Sequence, residues 1–196
     1  MKVIGVTGGM ASGKTTVARL IAREQYPHLD ADHLVHVLMR DDKEMIAAIA
    51  AAFPSSLVDG VIDRRVLSQF VAQDAAAIGA LEAIIHPRVR MAEERAINEA
   101  RTAGKEAVIL DIPLLFETDA EKLCDMVVAA SAPKSVRRQR AFARANMTEA
   151  KWQRLVDRQL HEQERNMRAD HVVMTDGTLE ETEAQVAVLL DLWGLK

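Results

Sequence analysis

Lys2-Val3-Ile4-Gly5-Val6-Thr7-Gly8-Gly9-Met10-Ala11-Ser12-Gly13-Lys14-Thr15-Thr16 is an apolar strand that runs straight into GxxxxGK(S/T), the phosphate-cradling loop. Glycines there let the backbone coil until successive N–H groups converge on phosphate oxygens. Gly8 to Thr16 is therefore the expected nucleotide-binding segment. Lys14 is placed to reach the β- and γ-phosphates, and Thr15 to offer its hydroxyl to Mg2+. A helix starting near Lys14 aims the positive end of its dipole at the anion, and residues 16–23 carry the helical pattern this requires. A tight turn with a surface lysine would share some of the letters, but not the strand before them and the helix after. The loop leaves the phosphate acceptor open, because kinases, GTPases and ATPases all use it.

At 196 residues the chain can build one substantial core with appended segments, but not two domains of typical size. Its 49% hydrophobic and 28% charged residues are ordinary globular composition and argue against disorder. Aromatics at 4% suggest no base-stacking platform. A net charge of −4 speaks against a general nucleic-acid binder, so any anion site must be local. Cys124 is the only cysteine, which rules out an intramolecular disulfide, a thiolate metal cluster and a CxxC pair. It is expected to pack beside the apolar run 126–130. The early apolar stretch is interrupted by Gly8, Gly9, Ser12 and Lys14, unlike a signal peptide. No segment approaches the roughly 18 apolar residues of a membrane span. Cytoplasmic residence without a membrane partner is the expectation.

Beyond the loop, strands are expected at residues 27–30, 106–111, 125–130 and 171–174, and a closing helix at 179–192. The run Ala107-Val108-Ile109-Leu110 is apolar enough to be buried on both faces, as in a parallel sheet. This order reads as α/β. Between Asp32 and Gly104 the patterns are helical instead, at 44–53, 63–71 and 84–103, the last broken near Pro87, with His86 at the boundary. A helical insertion after the second strand can bind an acceptor at the carboxyl edge of the sheet. A second insertion, 136–168, is arginine-rich in a chain that is acidic overall.

Asp30 and Asp32 stand two apart, so an extended backbone sets both carboxylates on one side. One is suited to take the proton of an acceptor hydroxyl and the other to hold Mg2+ or its waters. Asp32 as the N-cap of a helix beginning at His33 is the competing reading. Asp111 ends an apolar strand, the pattern of a metal-linked acid, although a strand-ending aspartate also starts ordinary turns and Pro113 supports one here. Arg137, Arg140 and Arg144 share one helical face, and Arg158 and Arg165 repeat the seven-residue spacing. Guanidinium forks suit a segment closing over phosphates; a solvated helix with ordinary ion pairs gives the same pattern. His33 and His36 lack a third ligand and suggest no metal site.

Together these residues resemble the dephospho-coenzyme A kinase family along nearly the whole chain. The elements in order are Val6-Thr7-Gly8-Gly9 through Gly13-Lys14-Thr15, Asp30-Ala31-Asp32, Gly60-Val61-Ile62-Asp63-Arg64-Arg65-Val66-Leu67, Ile85-His86-Pro87, Ile112-Pro113-Leu114-Leu115-Phe116-Glu117, and Gln159 with Ala169-Asp170. The loop alone is generic; the ordered combination is specific. The resemblance implies a three-layer P-loop NTPase fold: a five-stranded parallel sheet from residues 1–32, 103–135 and 169–196, a helical dephospho-CoA-binding region at 33–102, and a helical lid at 136–168. It implies transfer of the ATP γ-phosphate, with Mg2+, to the ribose 3′-hydroxyl of dephospho-CoA by a monomer or weak oligomer. Asp32, Lys14 and Arg140 are then the expected catalytic residues, with Asp32 as base. Gly8 to Thr16 and Arg144 bind the nucleotide, while Thr15 and Asp111 hold the metal. Two departures stand out. Met10-Ala11 occupy positions where the family commonly has Ile-Gly, and Thr175 stands where it often has an asparagine, which puts an adenine contact there in doubt. A nucleoside monophosphate kinase is the nearest rival; a nucleotide-dependent switch, which would form no phosphorylated product, is the rival from another class.

Overall fold

The computed structural model describes residues 1–71 and 74–195, apart from the Ala75 side chain; positions 72, 73 and 196, which the sequence reading includes in the helical insertion and the core, lie outside them. In chain order the elements begin with β1 (Lys2–Gly8), α1 (Lys14–Ala22) and β2 (His28–Asp30). The helical insertion supplies α2 (Ala31–Asp41), α3 (Lys43–Ala52), β3 (Leu57–Val58), β4 (Val61–Ile62), α4 (Arg64–Val71) and α5 (Ala75–Thr102). The chain then forms β5 (Ala107–Asp111), β6 (Met126–Ser131), α6 (Lys134–Phe142), α7 (Glu149–Asp157), α8 (Glu162–Arg168), β7 (His171–Met174) and α9 (Leu179–Trp193).

Five of these strands make one parallel sheet in the order β2-β5-β1-β6-β7. β5 is buried at all five positions, which is why its sequence is an unbroken apolar run ending in one acid. On one face Ile4, Val6, Ile109 and Val128 pack with Val17 and Ile21 of α1 and with Val186 and Leu190 of α9. On the other, Leu115 and Cys124 crowd Gly5, where an added Cβ would stand 2.6 Å from Cys124 Sγ. Cys124 forms no disulfide and packs against the sheet, its thiol donating to Ala120 O at 3.5 Å. Asp170 also has a structural place: its carboxylate accepts from Val127 N–H at 2.7 Å and satisfies a donor at the start of β6. Thr178 and Glu181 form a capping box that starts α9.

By contacts the chain divides into two compact units, residues 1–30 with 96–196, and residues 31–95. The second has its own core of Met39, Met45, Ile49, Phe53, Ile62 and Leu67, joined by Leu81, Ile84 and Ile85 of α5. Asp42 caps α3 by accepting from Glu44 and Met45 N–H groups, and Arg88 ties both carboxylates of this turn to α5, at 2.7 Å to Asp42 and 2.5 Å to Glu44.

Two expectations for this unit are corrected. Pro87 does not break the long helix, and His86 marks no boundary; both lie inside α5. Proline removes one helical hydrogen bond, but Leu81, Ile84, Ile85 and the anchored Arg88 hold the turns around it in place. The segment is not wholly helical either, since β3 and β4 form a short antiparallel hairpin. Its turn is Asp59-Gly60, both with positive φ (50° and 79°), the geometry that favours Asp-Gly in two-residue hairpins.

Candidate active site

The centre of the sheet explains why the loop sits where it does. β1 lies between β5 and β6; the chain leaves β1 toward β2 on one side and leaves β5 toward β6 on the other, so the carboxyl ends of β1 and β5 open onto a crevice where anions bind in such sheets. The loop forms despite Met10 and Ala11. Ser12 N–H donates to Gly9 O at 2.9 Å, and Gly13, with φ 86°, becomes the N-cap of α1 without any side-chain cap. The first-turn N–H groups of α1 are thus turned to the loop. Ala11 takes φ 61°, a left-handed backbone that costs a non-glycine residue about 1 kcal/mol. Its methyl is buried with Ala141 and Trp152, which offsets about 0.8 kcal/mol. The substitution is therefore close to neutral.

Register brings the acids level with the loop. Asp30 pairs with Asp111 across β2 and β5, and Asp111 with Val6 across β5 and β1. The Lys14 ammonium forms an ion pair with Asp111 Oδ1, while His28 Nε2 stands 3.5 Å from Oδ2. Burial pushes the Asp111 carboxyl up, but His28, Lys14 and the Thr15 hydroxyl together outweigh it and hold the group below the usual carboxylate range. Asp111 is thus a buried carboxylate whose Oδ2 has no hydrogen-bond partner. A buried carboxylate with the Thr15 hydroxyl beside it is the hard-oxygen pair that a divalent cation takes. Among the described residues no cluster of three or more His, Cys, Asp or Glu could hold a metal.

The arginines separate into different roles. Arg140 on α6 donates through Nη2 to Thr175 O at 2.5 Å. Arg144 lies beyond the end of α6 and is exposed, so it does not continue the face of Arg137 and Arg140. Arg158 ends α7 and Arg165 lies on α8, so their spacing does not mark one helical face. Arg137 is buried, donates to Ala132 O at 2.9 Å and pairs with Glu162 at 3.0 Å. Arg165 is buried too and donates to Leu160 O at 3.0 Å. Burial and then neighbouring Arg137 push its pKa below the usual arginine range, against Glu162 and Glu117. Both guanidiniums close on Gly9, where a Cβ would stand 2.7 Å from Arg137 Nη1 and 2.9 Å from Arg165 Nη2. Sequence spacing gave no sign that these two, rather than their exposed neighbours, pack on the loop. Gln159 Oε1 accepts from Met10 N–H at 2.7 Å and adds a further tie to it.

Asp32 lies in the first turn of α2, which begins at Ala31. It is therefore not the cap of a helix beginning at His33. Its side chain is exposed, two residues past the end of β2.

A central phosphate loop, a buried acid at the end of the adjacent strand and a parallel sheet with flanking helices define a small P-loop kinase fold. Shikimate kinase from Acinetobacter baumannii shares it, with a TM-score of 0.52 at 20% identity over 98% of this chain and 92% of that one. The dephospho-CoA kinase family model matches residues 2–181. Dephospho-CoA kinase from Mesorhizobium japonicum is 42% identical over 97% of this chain and 96% of its own length, and that from Rhodopseudomonas palustris strain HaA2 is 40% identical over 97% and 95%. A crystal structure of a Thermus thermophilus protein superposes with a TM-score of 0.80 at 36% identity, covering 97% of both chains. The chain belongs to the dephospho-CoA kinase family.

Proposed function

We propose that this chain transfers the γ-phosphate of ATP to the ribose 3′-hydroxyl of dephospho-CoA, giving CoA and ADP, the last step of coenzyme A synthesis. The observation that carries this reading is the family match across residues 2–181 on a chain whose loop, Lys14 and Asp111 are assembled for phosphate chemistry. The backbone of Gly8 to Thr16 cradles the phosphates, and Lys14 leaves part of its interaction with Asp111 to follow the γ-phosphoryl group. Mg2+ bound by Thr15 and Asp111 would neutralise charge on the β- and γ-oxygens. Asp32 accepts the proton of the 3′-hydroxyl as its oxygen bonds to phosphorus, while the bond to the ADP oxygen breaks. Arg140 and Arg144 supply positive charge from the arginine-rich segment 136–168, which acts as a lid, and residues 33–102 receive dephospho-CoA.

The enzyme is proposed to work in the cytoplasm as a monomer or weak oligomer, without nucleic acid. No described helix is long and apolar enough to cross a membrane. Competition among dephospho-CoA, AMP, CMP and shikimate in one ATP-supplied reaction tests the acceptor. Phosphorylation of dephospho-CoA alone is expected; preferential phosphorylation of any other acceptor overturns the assignment.

A further inference from the structure

Thr175 directly follows β7 and is buried. Its N–H donates to Ser131 O at 2.9 Å, continuing the strand pairing. Its hydroxyl oxygen lies 2.5 Å from Ser12 O and 3.1 Å from Ser131 O. A hydroxyl has one proton to give. Ser131 O is already engaged by the Thr175 amide and Ser12 O is nearer, so the proton goes to Ser12 O. Thr175 also abuts Gly13, whose added Cβ would stand 3.4 Å from the threonine Cβ. The carbonyl of the same residue accepts from Arg140 at 2.5 Å. One residue thus grips the phosphate loop with its side chain and an arginine of α6 with its backbone.

We infer that Thr175 is a positioning residue for the nucleotide: it fixes the Ser12–Gly13 peptide of the loop and the guanidinium of Arg140 in one arrangement. This rests on the reading of the loop as the ATP site. In a trans peptide the carbonyl and the following N–H point in opposite directions. Holding Ser12 C=O on Thr175 turns Gly13 N–H to the other side of that peptide, as a donor. A reversed peptide would set a carbonyl oxygen on that side, which repels phosphate. Threonine here lacks the paired donor and acceptor of an asparagine amide, and its hydroxyl is spent on the loop rather than on a base.

Steady-state kinetics with ATP and dephospho-CoA varied separately test this. Thr175→Val replaces the hydroxyl with a methyl of similar size and is expected to raise KM for ATP about tenfold, the effect of one buried hydrogen bond. KM for dephospho-CoA is expected to stay within about twofold, and Thr175→Ser to restore KM for ATP to within about twofold of the parent. A purely structural residue would change the melting temperature and the active fraction without this split. Unchanged KM for ATP in Thr175→Val, or no recovery in Thr175→Ser, overturns the inference. If the valine variant does not fold, Thr175→Ala removes the hydroxyl without adding bulk and carries the same expectation. Should the parent protein make no CoA, the acceptor assignment fails by itself. The Kd of a non-hydrolysable ATP analogue, compared by calorimetry across the same variants, then decides the role of Thr175 alone, with the same weakening and recovery expected and equal affinities overturning it.

Discussion

Replacing Gly9 with alanine puts a methyl where two buried guanidiniums already sit. The new Cβ would be 2.7 Å from Arg137 Nη1 and 2.9 Å from Arg165 Nη2, both closer than carbon tolerates, and a tight 3.2 Å from Arg137 Cζ. An arginine tip normally swings away at little cost, but these two are anchored. Arg137 is held by Ala132 O and Glu162, and Arg165 by Leu160 O. Displacing Arg137 breaks a charge-assisted pair of about 1.5 to 3 kcal/mol, and forcing a methyl into a packed site costs about 1 to 3 kcal/mol. Glu162 keeps some solvent contact, which favours the lower part of those ranges. A net loss of about 2.5 to 4 kcal/mol lowers the melting temperature of a chain this size by about 5 to 16 °C. The control is Gly79→Ala in α5, where nothing lies within 4 Å of the added Cβ; it should leave stability unchanged or raise it by about 0.5 to 1 kcal/mol. Calorimetric melting of both variants is the assay. A Gly9→Ala protein melting within about 1 °C of the parent refutes the account of the arginine pair.

Lys14→Ala should slow turnover at least about a hundredfold in a coupled ADP-release assay, because it removes a fixed charge from the phosphates; a near-normal rate contradicts the site. Asp32→Asn should lower kcat about a hundredfold with ATP affinity nearly intact, whereas equal losses in both assign Asp32 a structural role. Glu93 is buried on α5, and its burial, opposed by Arg90 and reinforced by Glu94, pushes its pKa up to about 7. The folded state therefore holds this proton more tightly than the unfolded chain, so its contribution is full below the ordinary carboxyl range near 4.5 and is lost as pH rises through about 7. Glu93→Gln should remove up to about 3 kcal/mol of that decline between pH 5 and pH 8. Parallel denaturation profiles for the two proteins would contradict this.

The loop and the sheet were legible because burial on both faces writes itself into β1, β5 and β6 as apolar runs, and because one glycine pattern names its ligand. The hairpin was not, since strands of two residues carry no period, although Asp59-Gly60 was the available signal. Pro87 misled because local propensity speaks only of the lost hydrogen bond, while the partners that anchor neighbouring Arg88, Asp42 and Glu44, come from distant sequence. Among the arginines, spacing placed Arg137 and Arg144 on one face. The helix stops between them, and only tertiary packing separates the buried Arg137 from the exposed Arg144. Thr175 read as a missing amide; its hydrogen bond to Ser12 spans 163 positions and leaves no mark in the local pattern.

Mass spectrometry of the product formed from ATP and dephospho-CoA tests the central claim most directly. The expected result is stoichiometric CoA and ADP, with the new phosphate on the ribose 3′-oxygen and formed at least about a hundredfold more slowly by Lys14→Ala. ADP and free phosphate with dephospho-CoA unchanged would contradict it.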